Sequence, residues 1–233
     1  MTLTVSRMFA TGLPGLAPLI RREIGQHPGI RVTESGFDGR ADVVLFEVDQ
    51  GCRQAALTLR TTEDVFVEVG RARRGDGNPQ RIAAALWRPH TAQRALSIWA
   101  AHRRPLVAAM MFRVVTRVLS EKAFRRTELR RHLTETIHQD RRRWATADPA
   151  QLEIWACEYR SGRFVAGLRL SDAGMRQHGG RSLERPGALR PTLAAAMVNL
   201  AGAPSGVLVD PCCGSGTILG EATAAGWTAI GAD

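Results

Sequence analysis

Asp210, Gly214, Gly216 and Asp233 are the residues whose types and spacing best suit a ligand site, in the stretch DPCCGSGTILGEATAAGWTAIGAD. Glycines after a strand let backbone N–H groups approach a ligand, and the helix they open adds favourable partial charge. An acid 17 residues beyond Gly216 is placed to take both hydroxyls of a ribose. A Walker A loop is excluded, because Gly-Lys-Ser/Thr is absent. The pattern GxGxxxG also occurs in nicotinamide dehydrogenases, so that reading stays open. Asp210 before the glycines favours S-adenosylmethionine, whose methionine end carries an ammonium group; a dinucleotide pyrophosphate would be repelled there.

These residues need a strand-helix-strand unit to hold them. GVLVD reads as a short buried strand, GTILGEATAAG as a helix and WTAIGAD as the next strand. Before them, PTLAAAMVNLAG reads as a helix with Pro191 in its first turn, Leu193, Met197 and Leu200 on one side, and Gly202 just past its end. The order is that of the first βαβ of a doubly wound sheet.

Upstream, residues 1–70 read β-α-β-β-α-β, with a hairpin at Asp38-Gly39, the order of a ferredoxin-like fold. Residues 71–172 read as a second α/β region: a loop at 75–79, helical sequence over 80–102 interrupted near Pro89, a strand over 112–119, a helix over 127–144, and a hairpin about Ser161-Gly162. Residues 173–233 hold a Gly- and Arg-rich connector and the βαβ unit.

The formal net charge is +10, and all 32 Lys and Arg lie at or before Arg190. Residues 191–233 carry only Asp210, Glu221 and Asp233. A polyanionic partner, most simply nucleic acid, is therefore expected at the first four-fifths of the chain. At helical spacing Arg130, Arg131, Arg141 and Arg142 share one arc of helix 127–144, and Arg113 and Arg117 share one face of the strand before it. These six are the candidate RNA contacts, against the plainer reading of solvated surface. Cys52, Cys157, Cys212 and Cys213 have no CxxC spacing, so buried thiols are expected rather than disulfides or a metal site. With no apolar run of membrane-spanning length and no signal-peptide order at the N-terminus, a cytoplasmic location is expected.

DPCCGSGTILGEA closely resembles motif I of the THUMP-domain-containing RNA (guanine-N2-) methyltransferases, and ALRPTLAAAMVNLAG resembles the helix before it. The basic upstream regions are similar in order and charge to that family's N-terminal RNA-binding module. The resemblance implies a ferredoxin-like domain (1–70), a THUMP-like RNA-binding domain (71–172), and a connector with an incomplete Rossmann-like methyltransferase domain (173–233). It implies S-adenosylmethionine as cofactor, no metal, and RNA as partner, with tRNA favoured over rRNA. Asp210 and the backbone of Cys213, Gly214, Ser215 and Gly216 would line the methionine end of the cofactor, Asp233 would hold the ribose, and Arg190 and Thr192 would border the pocket. The family's later Asn/Asp-Pro-Pro-aromatic motif is missing: Asn78-Pro79 is followed by Gln80, and Asp148-Pro149 and Asp210-Pro211 lack the second proline. No catalytic residue is assigned, and the chain is expected to be a truncated, inactive portion of such an enzyme. A stand-alone RNA-binding module and a nicotinamide-dependent oxidoreductase are the alternatives.

Overall fold

The computed structural model describes residues 5–73, 78–119, 123–178 and 187–233. Most of the expected 75–79 loop and the middle of the Gly- and Arg-rich connector lie outside the described residues. The elements follow in order β1 (Val5–Gly12), α1 (Ala17–Gly25), β2 (Ile30–Phe37), β3 (Asp42–Asp49), a 3-10 turn, α2 (Arg53–Ala56), β4 (Asp64–Arg73), α3 (Pro79–Leu86), α4 (Pro89–His102), β5 (Met111–Arg117), α5 (Arg126–Asp140), β6 (Ala145–Thr146), β7 (Leu152–Arg160), β8 (Arg163–Arg169), α6 (Ala173–Gln177), α7 (Pro191–Leu200), β9 (Val207–Asp210), α8 (Thr217–Ala224) and β10 (Thr228–Gly231).

Eight strands form one mixed sheet in the order β2-β3-β1-β4-β8-β7-β5-β6. The first four are antiparallel to their neighbours, and β4 continues the sheet into β8. Alternation along these strands feeds two apolar clusters. One face carries Met8, Phe46, Val67, Phe112 and Leu168 and is packed by the helices, which insert Ile20 and Ile24 (α1), Ile82 and Leu86 (α3), Leu96 and Trp99 (α4), and Leu129, Leu133 and Ile137 (α5). The other face holds Phe9, Leu45, Phe66, Trp155, Cys157, Tyr159 and Val165, with Phe9 stacked on Phe66 at 4.6 Å.

That second face is enclosed because the sheet curls until β2 meets β7. Arg160 Nε donates to the Ser35 carbonyl at 2.7 Å, and the Tyr159 hydroxyl donates to Glu34 at 3.0 Å. Gly36 makes the approach possible, since a Cβ there would lie 1.9 Å from the Tyr159 carbonyl oxygen. Burial of Cys157 in this cluster pushes its thiol pKa well above the ordinary range, so the thiol is inert.

Three expectations need correction. The helix expected over 127–144 ends at Asp140; Arg141 already has φ −123° and ψ 67°. The chain leaves the helix there so that Trp144 can turn in and pack beside Phe112, with ring centroids 6.0 Å apart. The strand expected to be buried, β9, is not: Val207 and Val209 are 53% and 64% exposed. It pairs in parallel with β10 in a separate two-stranded sheet. Packing by α8 covers one face of this pair and leaves Ile230 exposed with the two valines on the other. Met197 and Leu200, on the expected apolar side of α7, are also exposed, while Thr192, Ala194, Ala195, Ala196 and Val198 are buried instead. No helix among the described residues is long and apolar enough to cross a membrane.

Candidate functional site

Parallel pairing sets Gly231 opposite Asp210, so β9 and β10 finish at one edge. The chain between them is folded tightly on itself. Ala232 donates its N–H to the Asp210 carbonyl at 3.0 Å, Cys213 N–H donates to the Ala232 carbonyl at 2.9 Å, and Gly216 N–H closes on the Cys213 carbonyl at 2.8 Å. Asp210 also accepts the Cys212 N–H on its side chain at 3.1 Å. Gly214 and Gly216 have φ of 50° and 73°, a region that disfavours other residues, and a Cβ on either would meet nothing within 4 Å. Gly231 is glycine for a different reason: a Cβ would fall 2.4 Å from the Leu219 side chain and 2.8 Å from Cys213 Sγ.

The loop thus has open space above it and leads straight into α8, whose first turn has no side-chain cap and no acid. The first-turn N–H groups of α8 have no side-chain cap, and the Asp210 carboxylate lies at the start of the same loop, a combination of donors and acid suited to a zwitterion. Asp233 follows β10 by two residues and is exposed at the same edge. Ser215 Oγ lies 3.3 Å from Thr217 Oγ1, within the loop. Cys212 is exposed and Cys213 half-buried, neither in a disulfide. Among the described residues no group of His, Cys, Asp and Glu could hold a metal ion.

Arg190 and Thr192, at the start of α7, both reach Glu63. Thr192 is buried, its hydroxyl donating to Glu63 Oε1 at 2.5 Å. Arg190 is largely exposed, its guanidinium 4.0 Å from the same carboxylate. Both join α7 to the segment before β4.

The six candidate RNA-contact arginines divide into two groups. Arg113, Arg117, Arg130 and Arg131 line one open groove of about 1330 Å³, together with Arg40 and Arg126. Its floor is the outer edge of β5, which β6 pairs only at Met111 and Phe112. Asp38, Glu135 and Asp148 are the acids of the groove. Arg117 bonds Asp38 at 2.8 Å and lies 4.5 Å above the Trp155 ring; Arg131 bonds Glu135 at 2.9 Å. Arg130 is exposed and makes no ion pair among the described residues. Arg141 and Arg142 line a different hollow with Gln93, Val107 and Trp144, where Arg141 bonds Gln93 at 2.8 Å. Arg40 and Arg126 were not foreseen. Arg40 comes from the β2–β3 turn, far away in sequence, and is brought in where Arg117 at the end of β5 bonds Asp38.

Arg113 also ends a chain of ion pairs across four strands. Arg176 (α6) bonds Asp64 (β4) at 2.9 Å, Arg169 (β8) bonds Asp64 at 2.8 Å and Glu153 (β7) at 3.0 Å, and Arg113 (β5) bonds Glu153 at 2.9 Å and Asp148 at 2.8 Å. Burial works against the charge on Glu153. Hydrogen bonds from Trp155 and Arg169 and the nearby guanidinium groups outweigh it, holding the carboxyl below its usual range.

Comparison with known proteins agrees with the loop's geometry. Residues 178–232 match the family UPF0020, described as RMKL-like, methyltransferase domain. No curated protein sequence matches the chain. Among solved structures, TrmN from Thermus thermophilus is similar over 98% of this chain and 64% of its own, at 25% identity and a TM-score of 0.69. A protein described as a predicted N6-adenine-specific DNA methylase from Listeria monocytogenes str. 4b F2365 is similar over 94% of this chain and 55% of its own, at 21% identity and a TM-score of 0.63. The chain therefore spans between about half and two thirds of the length of these proteins. Its mixed α/β fold is that of methyltransferase structures, and its C-terminal unit carries the methyltransferase-domain match.

Proposed function

We propose that the chain carries the RNA-recognition part and the cofactor loop of an S-adenosylmethionine-dependent RNA methyltransferase, acting on guanine N2 in tRNA rather than rRNA. The observation that carries this reading is the joining, in one chain, of an uncapped glycine loop beside Asp210 to a sheet with a six-arginine groove. In this reading 1–70 is a ferredoxin-like unit, 71–172 a THUMP-like RNA-binding unit and 173–233 the connector and the start of a Rossmann-like unit.

When bound, S-adenosylmethionine supplies an electrophilic methyl group on a sulfonium. The Asp210 carboxylate would hold the ammonium of its methionine end, the free N–H groups of the loop and first turn of α8 would hold its carboxylate, and Asp233 would hold the ribose. The groove arginines bind phosphates. Those already paired to acids are held in place, which lowers the entropy lost when RNA arrives. Folded RNA is read largely through shape and backbone, which suits a groove of guanidinium groups.

The test is a pair of titrations on the purified protein. S-adenosylhomocysteine should bind with measurable heat and NADH should not; Asp210→Asn should weaken S-adenosylhomocysteine about tenfold or more. tRNA should bind more tightly than duplex DNA of equal length at 0.15 M salt. Tighter NADH binding, or equal affinity for RNA and DNA, defeats the reading.

A further inference from the structure

The glycine loop does not stand apart from the large sheet. The link between them is a set of polar contacts centred on the buried Glu221, whose partner Arg60 is 35% exposed, outside both the loop and the groove. It begins at Glu23 on α1, whose carboxylate accepts the backbone N–H groups of Arg60 and Thr61 at 2.6 and 3.0 Å and also the Thr61 hydroxyl. The segment before β4 is thereby locked, and two of its side chains reach out. Arg60 makes a two-pronged bond to Glu221 of α8, Nε to Oε2 at 2.7 Å and Nη2 to Oε1 at 2.9 Å. Glu63 accepts the Thr192 hydroxyl of α7. From the other side His178 places Nδ1 2.8 Å from Glu221 Oε1.

The chemistry of this contact is specific. Glu221 and His178 are each only 5% exposed. A buried ion pair stabilises a fold little better than an apolar contact of the same size, but it fails when its partners shift. A planar guanidinium facing a carboxylate through two parallel bonds fixes angle as well as distance, whereas apolar surfaces can slide. His178 is also the one non-glycine residue with positive φ among the described residues, at 52°. Such a backbone costs free energy and persists only where its surroundings hold it. The holding contacts are its own N–H on the Met175 carbonyl and its ring on Glu221.

Glu221 is five residues past Gly216, so whatever fixes α8 also fixes the direction in which the loop faces. Arg60 is four residues before Asp64, which starts β4 and belongs to the ion-pair chain that ends at Arg113 in the groove. We propose that Arg60, Glu221 and His178 form a clamp that sets the orientation of the cofactor loop relative to the arginine groove, with Arg60 as a positioning residue. The assignment of roles to loop and groove rests on the function proposed above; the clamp itself rests on geometry alone.

The experiment measures orientation directly. Residual dipolar couplings of backbone amides in the large sheet and in α8–β10 are collected on the protein and on Arg60→Ala, Glu221→Gln and Arg60→Lys variants. For the unaltered protein one alignment tensor should fit both sets. In Arg60→Ala and in the nearly isosteric Glu221→Gln, the α8–β10 set should need its own tensor, with a magnitude lower by half or more. Arg60→Lys, which keeps the charge but not the fork, should fall between. The sheet couplings and its unfolding midpoint should stay as in the parent, which a merely destabilising change would not allow. S-adenosylhomocysteine and tRNA affinities should move less than twofold. One tensor fitting both sets in both Arg60→Ala and Glu221→Gln overturns the clamp, whatever the ligands turn out to be. Failure of the parent protein to bind those ligands overturns the functional reading and leaves the clamp standing.

Discussion

At the scale of single residues, the clearest commitments are two glycines and two arginines. Gly36 lets β2 close against β7, where any Cβ would lie inside the Tyr159 carbonyl. Gly36→Ala should therefore lower stability by about 3 kcal/mol, near the top of the range for overpacking, because backbone rather than a movable side chain must give way. Urea unfolding monitored by tryptophan fluorescence reads this; an unchanged midpoint would mean that β2 does not approach β7 as described. Gly231 is bounded mainly by movable side chains, Leu219 and Cys213, so alanine there should be milder in its effect on the fold. In the groove, Arg130 and Arg131 are on the exposed side of α5, and neither holds the core. Replacing both by alanine should leave the unfolding midpoint in place and weaken tRNA binding. The slope of log affinity against log salt should become shallower by about 1.5, as expected for two lost phosphate contacts. An unaltered slope would remove these two from the interface.

At the scale of elements, α8 is the piece whose placement depends on charge. Burial disfavours the charged form of Glu221, but hydrogen bonds from His178 and Arg60 and their positive charge outweigh burial, and its pKa is lowered. A carboxyl with a depressed folded pKa stabilises the folded form at pH above its unfolded value, about 4.3 for glutamate, and that contribution fades as pH falls through the lower folded value. The docking of α8 should accordingly loosen as pH falls below that unfolded value. Amide hydrogen exchange in residues 217–224 should accelerate there beyond its intrinsic pH dependence, and Glu221→Gln should abolish the extra acceleration. Much of the element structure was legible in the sequence for a simple reason: strands and helices here keep clean periods. The hairpins at Asp38-Gly39 and Ser161-Gly162 carry turn residues, and α4 starts at Pro89. The end of α5 was not legible. No glycine or proline stands at 141, and the helix stops because Trp144 has a place to pack, which is a fact of tertiary structure. That error carried Arg141 and Arg142 onto the wrong surface.

At the scale of the whole molecule, the same division holds for the sites. The loop from Asp210 to Gly216 is local in sequence, and its φ-positive glycines declare themselves. The groove is only half local. Arg113, Arg117, Arg130 and Arg131 come from neighbouring elements, but Arg40 arrives from the far side of a curled sheet, and no spacing rule reports a curl. Contacts such as Arg60 with Glu221, 161 residues apart, are invisible to pattern reading altogether.

The pairing of β4 with β8 joins Phe66 to Arg169 and Arg73 to Arg163, residues about 90 to 100 positions apart. A chain ending at residue 110 would leave this edge of β4 open and should self-associate at tens of micromolar, whereas one ending at 172 should remain monomeric in sedimentation. The same separation matters while the protein is being made. A ribosome adds roughly 5–20 residues per second, so the nascent chain carries an unpaired β4 edge for roughly 5 to 20 s before β8 emerges. β4 bears Glu68, Arg71 and Arg73, charged groups that hinder an unpaired strand from joining that of a neighbouring nascent chain. In the folded protein Arg71 bonds both Glu68 and Glu34, and Arg163 of β8 bonds Glu34 as well, so Glu68 and Arg71, which guard the strand during synthesis, become part of its folded network.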